Sequence, residues 1–233
     1  MTTAWHCYDR RDMMVAALRD ATVAKLRESL TKYGRAAWAV SGGSTPAPLF
    51  EAMSAVPLDW AHVDVALVDE RWVGTDHPRS NEAFVRGCLK KNKAKDARII
   101  GMKTPHEHAA EAAATVNARY ALIPRAFDSV LLGLGPDGHT ASLFPGAEGL
   151  EKAFDMKGKR TCAALKAIKS DVTGDEVERM SLTAPAIACA HHVALMITGE
   201  DKKKVLQEAL STKRDLPVAR LAEVVDIDIY WAP

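Results

Sequence analysis

Apolar positions recur along this chain in two alternating rhythms. Between Asp12 and Tyr33 they fall at Met13, Ala17, Leu18, Ala21, Ala24, Leu26 and Leu30, the spacing of an amphipathic helix, and Gly34 ends it. Ala36-Ala-Trp-Ala-Val40 follows as an unbroken apolar run, the mark of a strand buried on both faces. The couplet then repeats. Helix is predicted over 48–55, strand over 63–68, helix from the Ser80 cap to Leu89, a short strand over 98–100, and helix over 107–122. Strand is predicted again over 128–132, 162–165, 179–183 and 192–197, with helices over 185–190 and 200–210. Val225-Asp-Ile-Asp-Ile-Tyr-Trp231 alternates, which predicts an edge strand with one wet face. The Gly- and Lys-rich segment 148–159 and the polar run 166–178 break the rhythm and are expected to be loops.

Strand and helix alternate from one end to the other. That predicts an α/β fold with a mostly parallel, Rossmann-like sheet carrying helices on both faces. No linker divides the chain, so a single domain over residues 1–233 is expected. That length is ample for one continuous core, and 48% apolar with 26% charged residues is ordinary globular composition. The formal net charge of +1 lacks the basic excess of a nucleic-acid binder, so an anionic ligand would have to be held by a few placed cations. No run approaches the roughly 18 apolar residues of a membrane span, and the first residues lack the charged-then-apolar order of a signal peptide. Cys7, Cys88, Cys162 and Cys189 lie far apart and form no Cys-x-x-Cys pair. A reducing, cytoplasmic setting without disulfides or zinc is the expectation.

In open α/β sheets, ligands settle beyond the carboxyl ends of strands. Three loops leave such ends with unusual composition. Ser41-Gly-Gly-Ser-Thr-Pro46 offers close backbone approach at Gly42 and Gly43, hydroxyls at Ser44 and Thr45, and the N-terminus of the following helix. Those features suit phosphate, and a plain tight turn is the alternative. Gly-Lys-Ser/Thr is missing, so this is not a Walker A loop. Asp69-Glu-Arg-Trp72 places Arg71 at a strand end, where it either grips an anion through paired hydrogen bonds or pairs with a neighbouring acid.

The third loop begins with Gly133-x-Gly135-x-x-Gly138, the spacing of a dinucleotide fingerprint. Its context argues against that use. The fingerprint belongs to the first βα unit and wants an acid at the end of the next strand, about 20 residues on. Here it lies past mid-chain, and Asp155 near that distance sits in no convincing strand. Asp137-Gly-His139 needs a different account. A histidine at a strand end with an aspartate two residues before it can act as a general base near neutral pH; a satisfied structural histidine is the other reading. His106-Glu-His108 and His191-His192 do not form His-Glu-x-x-His and are read as surface or strand-end residues, so no metal site is expected. No Gly-x-Ser-x-Gly nucleophile elbow is present.

Ser41–Pro46, Asp69-Glu-Arg-Trp-Val73, Ser80-Asn-Glu82, Gly133–Gly146, Arg179-Met-Ser-Leu-Thr183 and Thr198-Gly-Glu-Asp-Lys202, in this order, resemble the 6-phosphogluconolactonase family. The string Gly-Pro-Asp-Gly-His-Thr-Ala-Ser-Leu-Phe-Pro is the most specific of these. The resemblance implies a fold shared with glucosamine-6-phosphate deaminases and ribose-5-phosphate isomerases. It implies hydrolysis of 6-phosphoglucono-lactone to 6-phosphogluconate, a step of the pentose phosphate pathway, without metal or cofactor. The partner it implies is a small sugar-phosphate lactone, handled by a monomer or weak homodimer. Its carry-over makes His139 the base that activates water and Asp137 the residue that orients it. The phosphate would be held by Gly42, Gly43, Ser44, Thr45, Arg71, Arg179 and Lys202, with Lys203 and Lys204 as rivals for the last place. Deaminases resemble the same loops but continue Ile-Ala-Phe-Asn-Glu-Pro after the histidine, where this chain has Thr140-Ala-Ser-Leu-Phe-Pro145, and read Asp-Glu-Tyr where this chain has Asp69-Glu-Arg71. A deaminase or isomerase and a non-catalytic sugar-phosphate-binding domain stand as the alternatives.

Overall fold

A computed structural model describes residues 2–123, 126–212 and 215–233. Seven strands, β1 (Thr3–Cys7), β2 (Ala36–Val40), β3 (Val63–Leu67), β5 (Arg98–Ile100), β6 (Ser129–Leu132), β9 (Val193–Thr198) and β10 (Ile227–Ala232), form one parallel sheet. Their order across it is β1-β10-β9-β6-β2-β3-β5. A second, antiparallel sheet runs β4-β8-β7, from β4 (Asp69–Arg71), β8 (Glu178–Leu182) and β7 (Cys162–Lys166). The helices are α1 (Arg11–Tyr33), α2 (Ala47–Ser54), α3 (Asn81–Leu89), α4 (Ala109–Tyr120), α5 (Leu150–Ala153), α6 (Ala184–Ala188), α7 (Glu200–Thr212) and α8 (Pro217–Ala222). No helix among the described residues is long and apolar enough to cross a membrane.

The unbroken apolar runs behave as expected. Every residue of β2, β3 and β6 is buried, so both faces of the central sheet are covered. From β2 the chain builds outward through β3 to β5, then returns to β6 on the other side of β2 and builds through β9 to β10. The order therefore reverses between β2 and β6, and the crevice beyond their carboxyl ends is where such sheets bind ligands. Ser41 N–H donates to the Leu131 carbonyl at 3.1 Å, fixing the start of one crevice wall against the other.

Three expectations need correction. Asp69–Arg71 is a strand, not a loop: Val68 still bonds the main sheet through Val40, and the next three residues pair antiparallel with Arg179–Ser181. The last strand is not at the edge, because β1 pairs outside it, from Thr3 against Ile227 to Cys7 against Trp231. The 148–159 segment contains α5, whose Leu150 and Ala153 join Leu143, Phe144, Ala147, Ala163 and Leu165 in a small second core. That core packs the antiparallel sheet against the segment following His139.

Candidate active site

A cleft of about 240 Å³ opens at the β2/β6 switch point. Its walls are the segment 41–46 after β2, Asp69 and Arg71 on β4, Asn81 at the start of α3, the turn after β6, and Lys202 on α7. Of the residues singled out from sequence, Gly42, Gly43, Ser44, Thr45, Arg71, His139 and Lys202 meet in this one space.

The first wall is built to approach an anion. Gly43 has φ 95°, a left-handed conformation that a side chain would strain. A Cβ on Gly42 would stand 2.0 Å from Asn81 Oδ1, so Gly42 is where backbone and side chain cross. Among the described residues, the N–H groups of Gly43, Ser44 and Thr45 donate to no protein acceptor, and α2 begins directly after them. They line the cleft just ahead of the N-terminal, positive end of α2. Asn81 is held by its own donation to the Asp69 carbonyl at 2.8 Å.

Arg71 makes no ion pair among the described residues. Its Nη1 donates to the Arg79 carbonyl at 2.8 Å, which leaves the rest of the fork for a ligand. Glu70, fully buried beside it, accepts from the N–H groups of Arg71, Asn81 and Glu82 at 2.7–2.8 Å and from Ser80 Oγ at 3.1 Å. One carboxylate thus ties β4 to the start of α3, and burial pushes its pKa up. Asp69 also faces the cleft, with Oδ2 accepting from Ser142 Oγ at 2.7 Å.

Arg179 lies elsewhere. It pairs with Arg71 across β4 and β8 but is only 2% exposed and does not line the cleft. Its Nη2 donates to the Thr173 carbonyl at 3.0 Å, and its Nε is buried without a partner. Burial and the neighbouring Arg71 push its pKa down to about 10, so it stays charged at neutral pH. The connection between β7 and β8 is fastened beside it: Arg79 donates to the same Thr173 carbonyl at 3.1 Å and pairs with Glu176.

The lysine run resolves cleanly. Successive helical residues point about 100° apart, and Lys202 is the one that lines the cleft. Lys203 sits 3.5 Å from the centre of the Trp231 ring, and Lys204 is exposed on a different surface. Burial holds the Lys202 ammonium below the usual lysine range.

The turn after β6 brings Asp137 and His139 together. Its glycines do not open a helix as the dinucleotide fingerprint requires; α5 starts only at Leu150, and Asp155 is exposed and outside any strand. Gly138, at φ 80°, bends the chain so that Gly135 N–H reaches the His139 carbonyl at 2.9 Å. Within that turn Asp137 Oδ1 lies 2.5 Å from His139 Nδ1. Burial raises the Asp137 pKa, but the hydrogen bond and charge of His139 outweigh it and leave the carboxyl below its usual range. In the tautomer that donates from Nδ1 to this carboxylate, Nε2 is the acceptor a general base needs. Asp137 itself does not line the cleft.

The other histidines are accounted for locally. His108 meets Glu178 at 2.9 Å, and the buried His192 meets Ser129 Oγ at 3.0 Å. Among the described residues no three or more His, Cys, Asp or Glu side chains are placed to hold a metal ion. Asn81 and Asp69 line the cleft although the sequence reading gave neither a role there, and Gly135, read only as part of the glycine fingerprint, lies against His139. The first lay inside the Ser-Asn-Glu motif and the second inside Asp-Glu-Arg, so only their orientation was hidden.

Known proteins share this fold. A family model described as glucosamine-6-phosphate isomerases/6-phosphogluconolactonase matches residues 9–231. The 6-phosphogluconolactonase of Rhizobium meliloti is 36% identical over 237 residues, covering 100% of each chain. That of Pseudomonas aeruginosa is 37% identical, covering 90% of this chain and 86% of its own. A crystal structure of a 6-phosphogluconolactonase from Shewanella baltica matches with a TM-score of 0.92 at 32% identity, covering 99% of this chain and 98% of the other. The chain belongs to the family of glucosamine-6-phosphate isomerases and 6-phosphogluconolactonases.

Proposed function

We propose that this protein is a 6-phosphogluconolactonase, opening 6-phosphoglucono-lactone to 6-phosphogluconate in the pentose phosphate pathway. The observation that carries the reading is the Asp137–His139 pair, whose imidazole lines the same cleft as the Gly42–Thr45 segment, Arg71 and Lys202. The phosphate is held by the Gly42–Thr45 segment, Arg71 and Lys202, with Arg179 adding positive charge from behind Arg71. His139 Nε2 takes a proton from water as the water oxygen bonds the lactone carbonyl carbon. The tetrahedral intermediate then collapses, the bond from that carbon to the ring oxygen breaks, and His139 returns the proton to the departing oxygen. A lactone is an activated ester, so base catalysis and positioning suffice for its hydrolysis.

The amino-sugar deaminase is the alternative of the same family, and Thr140-Ala-Ser-Leu-Phe-Pro145 in place of Ile-Ala-Phe-Asn-Glu-Pro weighs against it. One assay pair separates them. The protein should release acid from 6-phosphoglucono-lactone well above the spontaneous rate, with chelator present, and release no ammonia from glucosamine 6-phosphate. Ammonia release, or no acceleration on the lactone, overturns the reading.

The lowered Lys202 pKa gives a second test. A lysine held below its usual range loses its charge at a lower pH than an exposed one. Affinity for 6-phosphogluconate is therefore expected to weaken with rising pH earlier than an exposed lysine would give, and Lys202→Arg should move that weakening to higher pH. An identical pH profile of Kd in the two proteins would remove Lys202 from the phosphate site.

A further inference from the structure

The mechanism above leaves unused the ring that lies against its base. Phe144 stacks on the His139 imidazole, with centroids 4.1 Å apart and planes inclined by 30°. It is 5% exposed. Its place is set by Leu143, Ala147, Leu150 and Leu165 in the small second core, hence by α5 and β7 rather than by the catalytic turn. The Arg179 guanidinium lies over the same ring at 5.5 Å and is itself fixed by the Thr173 carbonyl.

An imidazole swings about two side-chain torsions. The Asp137 hydrogen bond fixes where Nδ1 sits, but one bond leaves the ring free to tilt about it. The backbone at Gly135 blocks one direction, since a Cβ there would be 2.0 Å from both Nδ1 and Cε1. Phe144 supplies a flat face against the ring itself. We infer that Phe144 is a positioning residue for His139, holding the plane of the imidazole so that Nε2 stays aimed at the attacking water. The inference rests on the reading of His139 as the base. Of the groups assigned to the phosphate, Arg179 lies over Phe144, and it is held independently by the Thr173 carbonyl, so loss of the ring should act on turnover rather than on binding.

The test compares Phe144→Leu, which keeps an apolar side chain without the aromatic face, with Phe144→Tyr, which keeps the ring. Stacked aromatic pairs contribute about 0.5–1.5 kcal/mol beyond burial, which corresponds to an expected loss in kcat of about fivefold for the Leu variant. KM should stay within about twofold, and the Tyr variant should keep wild-type kcat. The ring current of Phe144 should shift the His139 ring-proton resonances upfield in the wild type and the Tyr variant, and not in the Leu variant. In a His139→Asn background, Phe144→Leu should cost nothing further in kcat, because the two changes act through one group. If Phe144→Leu does not fold, Phe144→Met carries the same comparisons.

Wild-type kcat in the Leu variant despite a lost ring-current shift overturns the inference. So does an equal loss in the wild-type and His139→Asn backgrounds, which would mean that the ring acts through general packing. Near-normal turnover of His139→Asn alone overturns the base reading and this inference with it, whereas a full loss there beside an unaffected Leu variant overturns this inference alone.

Discussion

Replacing His139 by Asn is expected to lower kcat by about 10²–10⁴-fold, the range that a positioned general base contributes. Asparagine fills much of the same space and can still meet Asp137, but it cannot take a proton from water. The remaining parts of the cleft stay in place. The N–H groups of Gly43, Ser44 and Thr45 are set by Gly43 at φ 95° and by the start of α2, and Arg71 is set by the Arg79 carbonyl. None of these contacts involves His139, so the loss should fall on the chemical step. A proton-release assay under substrate saturation measures it, and a variant within about threefold of wild type would contradict the assignment.

Gly135→Ala is expected to lower kcat by about 10²-fold while leaving the melting temperature nearly unchanged. Gly135 is not among the glycines with positive φ, so an alanine there does not strain the backbone. What it strains is the site. A Cβ at 135 would stand 2.0 Å from Nδ1 and Cε1 of His139 and 2.7 Å from Asp137 Oδ1. The backbone can accept the methyl group, but the imidazole cannot stay where it is. It must swing out, and a misplacement of about 1 Å at a reacting group costs on the order of 10²-fold. Gly138 is a useful contrast. At φ 80° and packed against Leu216, it should lose stability as well as activity on substitution. Wild-type kcat in Gly135→Ala would mean that the ring does not rest against the turn during turnover.

How far the sequence could be read depended on where each element gets its stability. β2, β3 and β6 are buried on both faces, so their residues had to be apolar throughout, and the runs announced themselves. β1 is a five-residue edge strand with only partial burial, and its partner is the final strand of the chain; nothing in Thr-Ala-Trp-His-Cys marks it locally. β4 is three polar residues that become a strand only because Arg179–Ser181 lies alongside. In the site, the Gly42–Thr45 segment, Arg71 and the Asp137–His139 turn were legible because strand ends and glycine punctuation are local signals. Choosing Lys202 over its two neighbours needed the helix to be placed against the cleft. Arg179 shows the reverse: the family resemblance implied direct contact with the ligand, whereas its guanidinium is buried against the Thr173 carbonyl and does not line the cleft. Phe144 belonged to the most specific motif of the chain, yet its relation to His139 is a tertiary stack that no spacing rule predicts.

The central claim is that one turn activates water while separate walls hold the phosphate. It is tested most directly by calorimetric titration of 6-phosphogluconate into His139→Asn and the wild type. The two affinities should agree within about threefold even though turnover of the variant has collapsed. A loss of affinity that parallels the loss of turnover would make His139 a binding group and contradict its assignment as the base.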